Sequence, residues 1–104
     1  MRLVALVFAG VFLCNCIPHL VAGLQGWKFP TPFATPRHVG ESSALVNFIW
    51  GAINLLTGLT ILTRRPMQLG ANLDCVAVAA GALLLGVYLS HRFGQFRARR
   101  QTAR

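Results

Sequence analysis

Three long apolar blocks, at residues 3–24, 44–62 and 69–90, dominate the sequence. Each is close to the ~20 residues that an α-helix needs to cross about 30 Å of hydrocarbon at about 1.5 Å per residue. Only 12% of the 104 residues are charged, whereas soluble domains contain about 25%. The sequence therefore predicts an all-α membrane protein with three transmembrane helices in a single membrane domain.

The boundaries of the predicted segments follow from these blocks. We expect helices at about residues 3–24, 43–62 and 70–91, an interfacial loop rich in proline and aromatic residues at 25–42, and a basic tail at 92–104. The first block also resembles a secretory signal, because Arg2 precedes an apolar run. It is longer than such signals and lacks a clear cleavage site, so we expect it to be retained as a helix.

The distribution of basic residues predicts the orientation. With three crossings, the first loop and the tail share one side of the membrane, and the amino terminus shares the other side with the second loop. The first side carries Lys28, Arg37, Arg92, Arg97, Arg99, Arg100 and Arg104, and the second carries Arg2, Arg64 and Arg65. The positive-inside rule then predicts a bacterial cytoplasmic membrane protein with its amino terminus outside and its carboxyl terminus in the cytoplasm.

The net charge of +8 is explained by the same rule and by attraction to anionic lipid. No nucleic-acid-binding module accompanies the basic tail, so nucleic acid is not an expected partner. Two phenylalanines among its arginines are typical of a segment that lies on the cytoplasmic leaflet. The expected partners are membrane lipid and either further copies of the chain or a larger membrane complex.

The first predicted helix carries its polar residues around Pro18. Proline lacks a backbone donor and its ring displaces the carbonyl of Cys14, so a bend is expected there. Asn15 and His19 lie one turn apart on one face and can bond the freed backbone or a neighbouring helix. Cys14 and Cys16 point about 200° apart on a helix, which argues against a shared metal ion. We expect no metal site and no cofactor.

Small and polar residues mark one face on each of the other two helices. Inside lipid, helices associate through small residues that permit close approach and through polar residues that bond across the interface. We therefore predict that helices 2 and 3 form an antiparallel hairpin. The residues expected at its interface are Asn47, Gly51, Asn54 and Gly58 on helix 2, and Cys75, Ala79, Ala82 and Gly86 on helix 3. Asp74, at the start of helix 3, is expected to reach Arg64 or Arg65.

Depth in the membrane groups several polar residues into a candidate ligand pocket. Residues near the cytoplasmic ends of the three helices share one level, and the first loop, with Arg37 and His38, can fold over them. The candidate pocket residues are Asn15, His19, Asn47, Tyr88 and His91. No nucleophile and base stand at a defensible spacing, so no catalytic residue is assigned and an enzyme is not expected. Haem between His19 and His91 is disfavoured, because no haem motif accompanies them.

Two short segments carry a resemblance to known proteins. Asn-x-x-Pro-His-x-x-x-Gly at residues 15–23 and Phe-Pro-Thr-Pro-Phe-Ala at residues 29–34 resemble a family of small uncharacterised bacterial integral membrane proteins. The resemblance covers at most residues 15–58 and implies location and topology without an activity. The chain's size is similar to that of small multidrug transporters, but that family has four helices and an acid in the first span, which this chain lacks.

Two functions of different classes remain. The first is an accessory or structural membrane subunit that packs against other helices, which the small-residue faces favour. The second is a binder or transporter of a small molecule or lipid that uses the pocket around Asn15, His19 and Asn47. Three short helices alone enclose little volume, so the second function predicts an oligomer.

Overall fold

The computed structural model describes residues 1–36 and 40–102 and consists of three helices. α1 spans Arg2–Leu24, α2 spans Ala44–Arg64 and α3 spans Leu73–Thr102. Each is long and apolar enough to cross a membrane. Within the described residues the only extended pairing is an isolated antiparallel bridge between Phe29 and Ser42. The all-α class and the three helices of membrane-spanning length and hydropathy, predicted from the apolar blocks, are confirmed.

α1 and α2 are antiparallel neighbours, and glycines on α2 receive the side chains of α1. A Cβ built on Gly51 would meet Leu20, and one built on Gly58 would meet Leu13. Later residues of α1 therefore contact earlier residues of α2, as expected for antiparallel helices. Without side chains at these two positions, the leucines of α1 fill the space and the helices approach closely.

α1 and α3 run parallel and touch backbone to backbone. A Cβ on Gly10 would overlap the Val78 carbonyl oxygen, and a Cβ on Gly81 would overlap the Val7 carbonyl oxygen. Only glycine permits this approach, because any larger residue would push one main chain away from the other. α1 is thus the middle helix of the bundle and contacts both of the others.

The predicted packing of α2 directly against α3 is wrong. No Cα atoms of these two helices come within 8 Å among the described residues, because α1 lies between them. All four residues predicted for the α2 face are buried, but they face α1. On α3, Ala79 is exposed and Cys75 is half-buried, whereas the buried positions are Ala77 and Gly81. The predicted α3 face therefore overlaps the packed one only in part, since Ala82 lies against Gly10 of α1 whereas Ala79 faces outward.

Polar contacts tie the helices together at the end of the bundle where α1 begins. Arg2 donates hydrogen bonds to the Asp74 carboxylate at 2.7 Å and to the Pro66 carbonyl oxygen at 2.5 Å. The prediction that Asp74 pairs with Arg64 or Arg65 is wrong, since the start of α3 lies beside the start of α1.

The opposite end holds the first loop and an extension of α3. α3 does not end near residue 91, as predicted, but continues as one helix to Thr102. The segment predicted to lie flat on the leaflet instead stands beside the loop, where Arg100 forms an ion pair with Glu41 at 2.8 Å. Ser43 caps α2 by accepting a hydrogen bond from the Val46 amide. The loop and the α3 extension therefore form one polar end of the bundle.

Candidate functional site

Asn47 fastens the first loop to the helices. Its side chain is fully buried, and Nδ2 donates to the carbonyl oxygens of Phe29, Ser42 and Ser43 at 3.0–3.2 Å. Phe29 and Ser42 also exchange backbone hydrogen bonds, which closes the loop on itself. A buried amide with this many partners holds the loop in one position over the ends of α1 and α2.

The same amide determines which ring nitrogen of His19 carries the proton. Because Asn47 Nδ2 faces carbonyl oxygens, Oδ1 is the atom that meets His19 Nδ1, at 2.8 Å. Nδ1 must therefore carry the proton and donate it, and the neutral ring presents Nε2 as an acceptor. Nε2 has no hydrogen-bond partner within residues 1–36 and 40–102. His19 as a whole is 3% exposed.

A second amide pair lies one turn deeper. Asn15 Nδ2 donates to Asn54 Oδ1 at 2.9 Å, and Asn54 Nδ2 donates to the Trp50 carbonyl oxygen at 2.7 Å. The Trp50 indole Nε1 is buried and has no partner among the described residues. An unpaired buried N–H costs free energy.

Aromatic rings surround His19 on three sides. Its ring makes edge-to-face contacts with Phe29, Trp50 and Phe93, with ring centroids 5.5–6.5 Å apart. Phe29 also packs on Phe93 at 4.7 Å, and Phe33 on Trp50 at 5.0 Å. These rings come from the loop, α2 and the extension of α3. They join the three segments through packing that favours this geometry.

These segments enclose a cavity of about 410 Å³, which lies in the size range of small-molecule sites. It is bounded by α1, α2, α3 and the first loop of a single chain. Its lining residues are Asn15, His19, Pro30, Thr31, Pro32, Gly40, Trp50, Tyr88, Leu89, Arg92, Phe93, Gln95, Phe96 and Arg99. We call this space the interfacial cavity, because its α3 wall spans the change from apolar to basic sequence.

The charged side chains that line the interfacial cavity are positive within the described part of the chain. There, Arg92 and Arg99 line it and no acidic side chain does. The sequence contains only two acids, and these pair with Arg2 and Arg100. A positive cavity of this kind favours a ligand with negative charge at the end near the arginines.

The predicted pocket residues are distributed as follows. Asn15, His19 and Tyr88 line the interfacial cavity, and Asn47 lies behind His19 as its hydrogen-bond partner. His91 lies elsewhere, in an open groove between α1 and α3. That groove, of about 1000 Å³, is lined by Gly10, Leu13, Cys14, Ile17, Val78, Ala82, Leu83, Gly86, Val87, Ser90 and His91. Arg37 and His38, which were expected to help cover the pocket, lie outside the described residues.

Several lining residues were missed because the tail was assigned to the membrane surface. Tyr88, Arg92, Phe96 and Arg99 recur at intervals of four, four and three, which is the periodicity of one helix face. Had α3 been extended through this pattern, an amphipathic face pointing toward the loop could have been predicted. Nothing in the sequence singles out Trp50 within the apolar run of α2.

Within residues 1–36 and 40–102, no three His, Cys, Asp or Glu side chains come together. The Cys16 thiol donates to the Leu13 carbonyl oxygen at 3.0 Å, and Cys14 borders the groove between α1 and α3. The site thus offers hydrogen bonds, aromatic surface and positive charge.

Comparisons with protein-family models, with curated protein sequences and with solved structures gave no match to this chain.

Proposed function

We propose that this protein binds a small amphiphilic molecule in the interfacial cavity. The observation that carries the proposal is a cavity of about 410 Å³ whose wall combines aromatic rings with polar side chains, among them Asn15 and His19. Binding sites combine apolar and aromatic walls with a few polar groups that fix the orientation of the ligand. A single chain encloses the cavity, so binding does not require an oligomer. No catalytic role is proposed.

Filling the cavity is expected to remove the ligand. Leu89→Trp adds an indole ring to the cavity wall, whereas Leu84→Trp adds the same ring at a position that is 70% exposed. In native mass spectrometry from mild detergent, we expect the natural chain and the Leu84 variant to retain a bound amphiphile and the Leu89 variant to lose it. A natural chain that carries no ligand when amphiphiles are supplied would refute the proposed function.

The chain is proposed to be a bacterial cytoplasmic membrane protein with its amino terminus outside and its carboxyl terminus in the cytoplasm. The excess of basic residues in the first loop and tail supports this orientation, and the resemblance of residues 15–34 to small bacterial membrane proteins supports the location. Green fluorescent protein fused after residue 104 is expected to fluoresce, and alkaline phosphatase fused there is expected to be inactive. The opposite pattern would reverse the orientation.

We also propose that α1 bends at Pro18, where the Cys14 carbonyl loses its helical donor. Electron paramagnetic resonance distances between spin labels near the two ends of α1 provide the test. The end-to-end distance is expected to lengthen in Pro18→Ala, and an unchanged distance would rule out the bend.

An accessory role in a larger membrane assembly is the second candidate. The open groove between α1 and α3 supports this role, because the small residues Ala82 and Gly86 line it and leave room for a neighbouring helix. Among the described residues outside the local α3 backbone, a Cβ on Gly86 would meet only Cys14 Sγ within 4 Å, at 3.8 Å. A helix from another chain could pack there. Crosslinking through cysteine introduced at Leu83 would detect such a neighbour, and an exclusively monomeric product in native membranes would oppose this role.

A further inference from the structure

A second cleft lies between the first loop and the extension of α3. Its volume is about 550 Å³. The loop supplies Trp27 and Lys28 to its wall, and α3 supplies Phe96, Arg97 and Arg100. We call this space, between residues 26–30 and 93–100, the loop cleft. It is lined by a different set of charged residues from the interfacial cavity.

Two cations of the loop cleft have no partner. Arg100 is occupied, because it forms the ion pair with Glu41 and lies over the ring of Phe96. Lys28 and Arg97 are exposed, and their side chains make no hydrogen bond or ion pair within residues 1–36 and 40–102. Glu41 is the one acidic residue of the cleft in that part of the chain. The cleft therefore carries an excess of positive charge that comes from two different segments.

The loop cleft lies at the depth of the lipid headgroups. α1 and α3 are parallel, and Arg2 bonds Asp74, 72 residues later. Leu24, the last residue of α1, is thus level with Phe96. The 23 residues of α1 span about 34 Å, close to the ~30 Å of hydrocarbon, so the residues that follow α1 meet the headgroup region. Trp27 is 61% exposed there, and tryptophan is enriched at this depth in membrane proteins.

We propose that the loop cleft binds the phosphate of an anionic lipid headgroup, which Lys28 and Arg97 hold between the first loop and α3. An ammonium group and a guanidinium group can donate to different oxygens of one phosphate. Trp27, beside them, packs on the part of the lipid that joins its headgroup to its acyl chains. The inference does not rest on the proposed function, because the interfacial cavity is a different space.

Trp27 can report lipid in the loop cleft, since it lines that cleft. The chain has two tryptophans, so Trp50→Phe leaves Trp27 as the single fluorophore. This change removes no indole hydrogen bond within the described residues. The variant would be placed in phosphatidylcholine nanodiscs containing lipid brominated on its acyl chains, which quenches tryptophan fluorescence. Brominated phosphatidylglycerol is expected to quench Trp27 at a mole fraction about 10-fold lower than brominated phosphatidylcholine, because two unpaired cations favour the anionic headgroup.

Charge variants separate the loop cleft from the general positive charge of this end of the bundle. Lys28→Gln/Arg97→Gln is expected to lower the preference for phosphatidylglycerol by about 3-fold or more, and Lys28→Arg/Arg97→Lys to retain most of it. Arg92→Gln/Arg99→Gln is the matched control, because it removes the same charge from residues that line the interfacial cavity and not the loop cleft.

The melting temperature of Lys28→Gln/Arg97→Gln is expected to be unchanged, since neither side chain has a partner among the described residues. A preference for phosphatidylglycerol that is unchanged in this variant would overturn the inference. A preference that falls equally in the control variant would overturn it as well, because general surface charge would then account for the effect.

Competition with inorganic phosphate distinguishes a lipid headgroup from a free oxyanion. At an ionic strength held constant with sodium chloride, phosphate is expected to leave quenching by brominated phosphatidylglycerol unchanged. Displacement of the lipid by phosphate would show that the cleft takes a free oxyanion, and equal quenching by the two brominated lipids would exclude an anionic headgroup. Either outcome overturns the inference. The proposed function is tested separately, by native mass spectrometry of the Leu89 and Leu84 variants.

Discussion

Asn47→Leu is expected to release the first loop from the helix bundle and to lower the free energy of unfolding by about 2–3 kcal/mol. Leucine has a similar volume but cannot accept the proton of His19 Nδ1 or donate to the carbonyl oxygens of the loop. His19 would then hold a buried N–H without an acceptor. Hydrogen–deuterium exchange of the Phe29 and Ser42 amides measures the effect, because these amides bond each other in the closed loop.

Asn54→Leu is the matched control for this experiment. It removes another buried amide of α2 and leaves Asn15 Nδ2 without its acceptor, but the side-chain hydrogen bonds of Asn54 go to α1 and α2 and not to the loop. We expect it to reduce stability without increasing exchange at Phe29 and Ser42. Unaltered protection of these two amides in Asn47→Leu would show that Asn47 does not fasten the loop.

Gly81→Ala is expected to separate α1 from α3 and to cost about 2–3 kcal/mol. The added Cβ would overlap the Val7 carbonyl oxygen, and a main-chain atom cannot move away by changing rotamer. The two helices would have to move apart and lose contacts along their shared interface. Unfolding in mixed micelles of dodecyl sulfate and a mild detergent, followed by Trp50 fluorescence in the Trp27→Phe background, would measure the loss.

Gly86→Ala is the control that separates the steric overlap in Gly81→Ala from the change of residue type. The substitution has the same chemistry on the same helix, but the added Cβ would have only Cys14 Sγ near it, at 3.8 Å. Alanine has the higher intrinsic helix propensity, so this variant is expected to be at least as stable as the natural chain. Equal unfolding midpoints for the Gly81 and Gly86 variants would contradict the close contact between α1 and α3.

The sequence was most informative where residue type and helical spacing coincide. The face of α2 that carries Asn47, Gly51, Asn54 and Gly58 could be identified because small and polar residues recur every three or four positions in an apolar helix. The helix that packs against this face of α2 could not be identified from the sequence, because every helix of the chain contains small residues. Choosing among them requires the relative depth and rotation of the helices, which spacing within one helix does not specify.

The candidate site could likewise be predicted only in part from the sequence. Depth alone grouped Asn15 and His19 with Tyr88, since residues near the same membrane surface lie at one level. The contribution of Phe93 depends on α3 continuing past the apolar block, and a hydropathy criterion ends the helix where the arginines begin. The contact between Arg2 and Asp74 was missed because Arg2 was considered only as a marker of orientation.

The central position of α1 has a consequence for how the chain is made. The ribosome produces α1 first, and each later helix docks on a segment that has already entered the bilayer. α2 can pair with α1 as soon as it is inserted, and α3 can follow without any interface to α2. The bundle can therefore assemble in the order of synthesis, and neither later helix needs to wait for a segment still to be translated.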